Sequence, residues 1–112
     1  MATTARFLVL WGTPEDPEKF DRHYREVHIP LVQKLPGLRR YTLSRNAVAV
    51  RGGDPYYRVA ELDFDDVEAL RAAFGSDPGR ETAADVSALS AGAPVHSMIY
   101  ELEDVMVVGE PG

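Results

Sequence analysis

The chain has no cysteine, so neither disulfides nor thiolate chemistry are open to it. No apolar run approaches the roughly 18 residues of a membrane span, and the N-terminus lacks a signal-peptide pattern. A cytoplasmic protein is the expectation. Basic side chains are outnumbered, 12 against 18 acidic, and the net charge of −6 argues against nucleic acid or an anionic membrane as partner. There is no glycine-rich phosphate loop: Gly52-Gly53 reads as a turn. There is no G-x-S-x-G elbow either, so nucleotide cofactors and acyl-enzyme chemistry are disfavoured and no cofactor is expected. The 3 histidines lack His-x-x-x-His or carboxylate spacing, so no metal site is expected.

What remains is an ordinary soluble composition. At 112 residues the chain reads as one domain, 1–112, with 45% hydrophobic residues to fill a core and 27% charged residues for a surface. A monomer this small buries a modest fraction of its surface, so a large dimer interface would help it.

Residues 20–38, FDRHYREVHIPLVQKLPGL, organise the rest. At roughly 100° per residue from Phe20, Tyr24 falls at about 40°, Val27 at about 340° and Leu31 at about 20°. These four form a narrow apolar stripe. His28 lies on its edge beside Tyr24, and His23 on the opposite flank, so the two histidines are not expected to share a proton or a metal. Pro30 removes a backbone donor, crowds the carbonyl of Glu26 and pushes Ile29 out of helical geometry. The helix is expected to kink or restart between His28 and Leu31, with Pro30 in the first turn of the second piece. Leu35-Pro36-Gly37 ends it, with Gly37 suited to a left-handed cap.

Along the chain, residues 5–12 form an apolar strand. Phe7, Val9 and Trp11 share one face, and Leu8 and Leu10 the other. Asp16 caps the first helix, with Pro17 at its first position. Residues 39–50 read as a second strand, and residues 56–64 as a third, whose Tyr57, Val59, Glu61 and Asp63 share a face that is polar at one end. Asp65 or Asp66 caps a helix over 67–74, a second helical stretch covers 79–89, and a long last strand spans 95–108 before Gly109-Glu110-Pro111-Gly112 frays. The order βαββαβ is the ferredoxin-like split pattern of the α+β class, an antiparallel four-stranded sheet with its helices on one face. The apolar residues on both faces of the first and last strands call for cover. A face-to-face homodimer supplies it by symmetry.

Tyr24, His28, Pro30 and Leu31 form Y-x-x-x-H-x-P-L, followed by Leu35-Pro36-Gly37-Leu38 and a strand opening Arg39-Arg40-Tyr41. This resembles the EthD family, small proteins first associated with bacterial ether degradation. The resemblance implies a ferredoxin-like fold that dimerises through the sheet face into an α+β barrel. It says much less about a reaction.

His28 is the first chemical candidate, because an imidazole titrating near pH 6.5 serves as base or acid after a small shift. The structural alternative is that it bonds a carbonyl freed by Pro30. Tyr24 can orient His28 or donate to a developing oxyanion, or it is core with its hydroxyl at the rim. Trp11 and Tyr41, with Leu31, are candidate walls for a planar substrate; Trp11 as plain core is the alternative. Glu61 and Asp63 are candidate carboxylate neighbours of His28, and His96 is expected to be exposed. Three functions fit: a cofactor-independent proton-transfer enzyme of dehydratase or isomerase type acting on a small apolar or aromatic carbonyl compound; a protein that holds an apolar ligand without turning it over; and a haem-binding barrel. Asn46 is the sole asparagine and no Asn–Trp–His grouping is present, which counts against haem.

Overall fold

The computed structural model describes residues 3–109. Strand β1 (Ala5–Trp11) is followed by α1 (Pro17–His23), a π-helical turn (Tyr24–His28), α2 (Ile29–Val32), β2 (Arg40–Leu43), β3 (Arg58–Phe64), α3 (Val67–Gly75), α4 (Asp77–Leu89) and β4 (Val95–Glu101). The four strands form one antiparallel sheet in the order β2-β3-β1-β4. This is the expected ferredoxin-like arrangement. No helix among the described residues is long and apolar enough to cross a membrane.

The caps follow the local chemistry. Asp16 accepts from the Lys19 amide with Pro17 behind it, and Asp66, not Asp65, accepts from the Ala69 amide. Gly37 has a positive φ of 77° after α2, and no side chain would be comfortable there. Gly79 is required for a different reason. A Cβ there would stand 2.4 Å from the Ala73 carbonyl, because α3 and α4 meet almost end to end.

Alternation sorts the sheet into two faces. Ala5, Phe7, Val9 and Trp11 of β1 pair with Phe64, Leu62, Ala60 and Arg58 of β3, and the apolar members of this set carry the core beneath the helices. Leu8, Leu10, Val59 and Met98 stand on the opposite face with a cross-strand ion pair, Arg6 to Asp63 at 2.7 Å. Asp63 is buried there, and its carboxylate raises the pKa of the Arg6 guanidinium. Glu61 and Asp63 are therefore across the sheet from His28 and are not its neighbours, which corrects the expectation.

Two strands are shorter than their composition suggests. β2 stops at Leu43, and residues 44–57 are irregular: Asn46 takes a positive φ of 55°, as do Gly52 and Gly53 at 64° and 60°, and the apolar Val48 and Val50 face solvent. β4 stops at Glu101 because its partner runs out. Glu101 pairs with Ala5, the Leu102 amide still bonds the Thr4 carbonyl, and Val105 to Val108 beyond are exposed. The fraying expected at 110–112 lies outside the described residues.

The first helix departs most from the expectation. An α-helical piece restarts at Ile29 with Pro30 in its first turn, as expected, but the chain stays helical across the junction instead of leaving helical geometry there. Ile29 is helical (φ −56°, ψ −47°), and its amide reaches back five residues to the Tyr24 carbonyl. The wider π turn gives the proline ring room and leaves no i→i−4 bond for its missing N–H to forfeit. It also changes which side chains face inward. Phe20, Tyr24, His28, Val32 and Leu35 are buried, whereas Val27 is 41% exposed and Leu31 is only partly covered. Steps of four residues overshoot an α-helical turn, and one π turn absorbs the accumulated drift.

Candidate acid–base site

Between the helices and the sheet lies a cavity of about 590 Å³. Its floor is built by strand register: Tyr41, Leu62, Phe7 and Ile99 form one row across all four strands, and Ala60, Val9 and Ser97 lie in the next. Three strand spacings make that row about 14 Å long. Val9 is on this face, so it is a core and cavity residue and not part of the open face. The walls come from Tyr24, His28 and Val32 of the first helix, Leu70, Arg71 and Phe74 of α3, and Thr82 and Val86 of α4.

His28 is 4% exposed and its Nδ1 lies 2.8 Å from Asp85 Oδ2. The other carboxylate oxygen, Oδ1, lies 2.7 Å from Nε2 of His23. An α-helix would set His23 and His28 about 140° apart. The wider winding of the π turn brings them closer round the helix, so both reach Asp85 on α4. The two histidines therefore share one carboxylate, contrary to the reading from a uniform α-helix. The trio does not converge on a point, and no group of three or more metal-ligating side chains among the described residues is placed to hold an ion.

Burial pushes the His28 pKa below its ordinary 6.5, Asp85 opposes this, and His23 adds to the lowering. The ring is neutral at pH 7. A carboxylate only accepts, so Nδ1 carries the proton and donates it to Asp85, leaving a lone pair on Nε2. Nε2 has no hydrogen-bond partner among the described residues, and His28 lines the cavity. The Asp85 contact thus fixes the tautomer and the orientation of the ring.

Tyr24 packs on it, ring centroids 4.9 Å apart, and its hydroxyl lies 2.8 Å from that of Tyr41 on β2. Burial raises the pKa of both phenols, so both stay protonated. One of their two protons is used in the mutual bond, and the other is left over. Tyr24, Tyr41 and His28 thus share one cavity. Trp11 does not line it. It is fully buried beneath Phe20, Tyr24 and His28, at centroid distances of 5.2, 6.4 and 6.5 Å. Its Nε1 has no partner among the described residues, an unsatisfied donor costing about 1–3 kcal/mol that the packed rings must offset. Leu31 is not on the wall either: the π turn puts Val32 there in its place.

Sequence reasoning missed Asp85. A signal was present, since Thr82, Asp85, Val86 and Leu89 share the i, i+3, i+4, i+7 stripe of α4, and an acidic residue on such an inward stripe needs a partner.

A four-stranded antiparallel sheet with its helices on one face and a cavity between the two layers defines a small ferredoxin-like protein of the α+β class. The EthD domain pattern matches residues 13–92, and the chain belongs to the EthD family. It is 34% identical over 103 residues to an uncharacterised 11.0 kDa protein of the thcB–thcC intergenic region of Rhodococcus erythropolis, covering 91% of this chain and 97% of that one. An EthD-family crystal structure from Bacillus halodurans superposes with a TM-score of 0.80 at 31% identity, over 89% of this chain and 99% of that one. SnoaB from Streptomyces nogalater, a cofactor-independent oxygenase, superposes with a TM-score of 0.68 at 20% identity, over 97% and 100% of the two chains, a likeness of fold.

Proposed function

We propose that the protein is a cofactor-independent proton-transfer enzyme acting on a small apolar or aromatic carbonyl compound. The observation that carries this reading is the unpartnered Nε2 of His28, oriented by Asp85, in the same cavity as the Tyr24–Tyr41 pair. A carbonyl oxygen accepts the spare phenol proton, which polarises the bond. Nε2 removes a proton from the adjacent carbon, and the electron pair moves to the carbonyl as an enolate. Asp85 stabilises the imidazolium, which returns the proton to the same or a neighbouring carbon. Nothing in these steps calls for a redox partner. The fold shared with a cofactor-independent oxygenase is compatible with this chemistry.

We also assign the open sheet face to a second copy of the chain. Leu8, Leu10, Val59 and Met98 are partly or largely uncovered in the monomer, and a homodimer through that face covers them. Partners of this kind suit a cytoplasmic protein of net charge −6 with no claim on nucleic acid or membrane.

Wash-in of deuterium at the benzylic carbon of phenylacetone in D2O, followed by proton NMR, tests the enzyme reading. The wild type should exchange faster than buffer, and His28→Asn should lose roughly 10² to 10⁴-fold. Binding of the ketone in the cavity with no exchange above buffer would favour a protein that only holds its ligand.

A further inference from the structure

Arg71 is the one residue of the cavity lining with a permanent charge. It has no ion pair or side-chain hydrogen bond to any described residue, although acidic side chains outnumber basic ones, 18 to 12. A partner was within reach. Glu68 stands three residues before it on α3, the spacing at which Asp77 and Arg80 do pair on α4. Arg71 instead joins Leu70, Phe74 and Gly75 on the cavity wall.

Its position is opposed to the acid–base groups. Phe74, one turn further along α3, stacks on Phe7 of β1 with centroids 4.6 Å apart. Tyr41 stands on β2, two strands from β1, about 10 Å away along the floor. α4 packs against both α3 and the first helix, so it separates the Arg71 wall from the His28 wall. The space between is lined by Val9, Ala60, Leu62 and Phe7.

Resting on the acid–base reading above, we infer that Arg71 binds a carboxylate at one end of the substrate while the carbonyl at its other end faces His28 and the tyrosine pair. The substrate class is a flat, apolar keto acid about two fused rings long. A planar guanidinium matches a planar carboxylate through two parallel N–H donors. A phosphate dianion would need more donors than one arginine and the Ser97 hydroxyl supply. Arg71 is an exposed residue in the free protein, so its charge bears little desolvation cost until a ligand closes over it.

The probes are 6-acetyl-2-naphthoate and its uncharged counterpart 2-acetylnaphthalene, titrated against the protein by calorimetry with His28 and Tyr24 NMR shifts as site reporters. Wild type should prefer the carboxylate roughly tenfold to hundredfold, and the preference should shrink in salt. Arg71→Met should bring the two affinities to parity, and Arg71→Lys should keep part of the preference. Equal affinities in the wild type, or a preference surviving in Arg71→Met, would overturn the assignment. Deuterium exchange of phenylacetone does not involve a carboxylate, so a failed exchange test strikes the enzyme reading alone, and a failed preference test strikes Arg71 alone.

Discussion

Nδ1 of His28 and Oδ2 of Asp85 lie 2.8 Å apart although 57 residues separate them in the chain. The bond joins the π turn to α4 and places a neutral imidazole with a defined tautomer in an apolar cavity. Because burial outweighs the carboxylate, the folded-state pKa of His28 lies below 6.5.

The sign of the resulting pH dependence follows from linkage. Between the depressed folded pKa and about 6.5 the unfolded chain holds the extra proton, so stability rises with pH through that window. The contribution is complete above about 6.5 and is lost as pH falls through the folded value. Urea midpoints for wild type and His28→Asn, measured from pH 4 to 8, should diverge in slope there, the wild type being the steeper. Asp85→Asn removes the group that raises the pKa, so NMR should show His28 titrating lower still; an upward shift would contradict the dyad.

The two faces of β1 predict opposite failures. Leu10 is on the open face between Val59 and His96. Leu10→Asp should give a folded monomer by circular dichroism and light scattering, where the wild type should run at about twice 12.4 kDa. Val9 is 7% exposed beneath the helices. Val9→Asp should cost several kcal/mol and unfold the chain. A wild-type monomer at micromolar concentration would remove the dimer.

Pro30→Ala restores a backbone donor four residues from the Glu26 carbonyl. In an ordinary helix interior the exchange is worth about 3 kcal/mol. Here an α-helical register would carry His28 away from Asp85, so little gain or a loss in Tm is expected, with His28 chemical shifts displaced. A gain of several degrees with the His28 signals unmoved would show that the proline is not matched to the π turn.

Much of the fold was legible in the residues. The βαββαβ order, the Asp16 and Gly37 caps and the two faces of β1 are local signals of alternation and turn chemistry. His28, Tyr24 and Tyr41 were also legible as a group near the helix–sheet border. Leu31 as a wall residue and the separation of His23 from His28 were misread for a single reason: a uniform 100° step was carried through a stretch that has one wider turn. The spacing of Phe20, Tyr24, His28 and Val32 is four, three times over, and this repeat was the available sign of the π turn. Asp85 required knowing which helix packs over the first, a long-range fact. For Trp11 the strand position fitted both a wall and plain core, and the core reading holds because the aromatic rings of α1 and the π turn cover it.

The π turn makes the site depend on count as well as on kind. A loop such as residues 44–57 can gain or lose a residue and leave the distance from His28 to Asp85 alone. Between Pro17 and Leu35 the chain keeps a tally: one residue fewer ahead of Pro30 would turn everything before the deletion by about 100° relative to everything after it. The side chains before the deletion would then meet the sheet and α4 out of register with those after it, with every side-chain type still present. The register of this helix is thus an inherited length, and a variant library that shuffles its residues will spare the site only where it preserves their number.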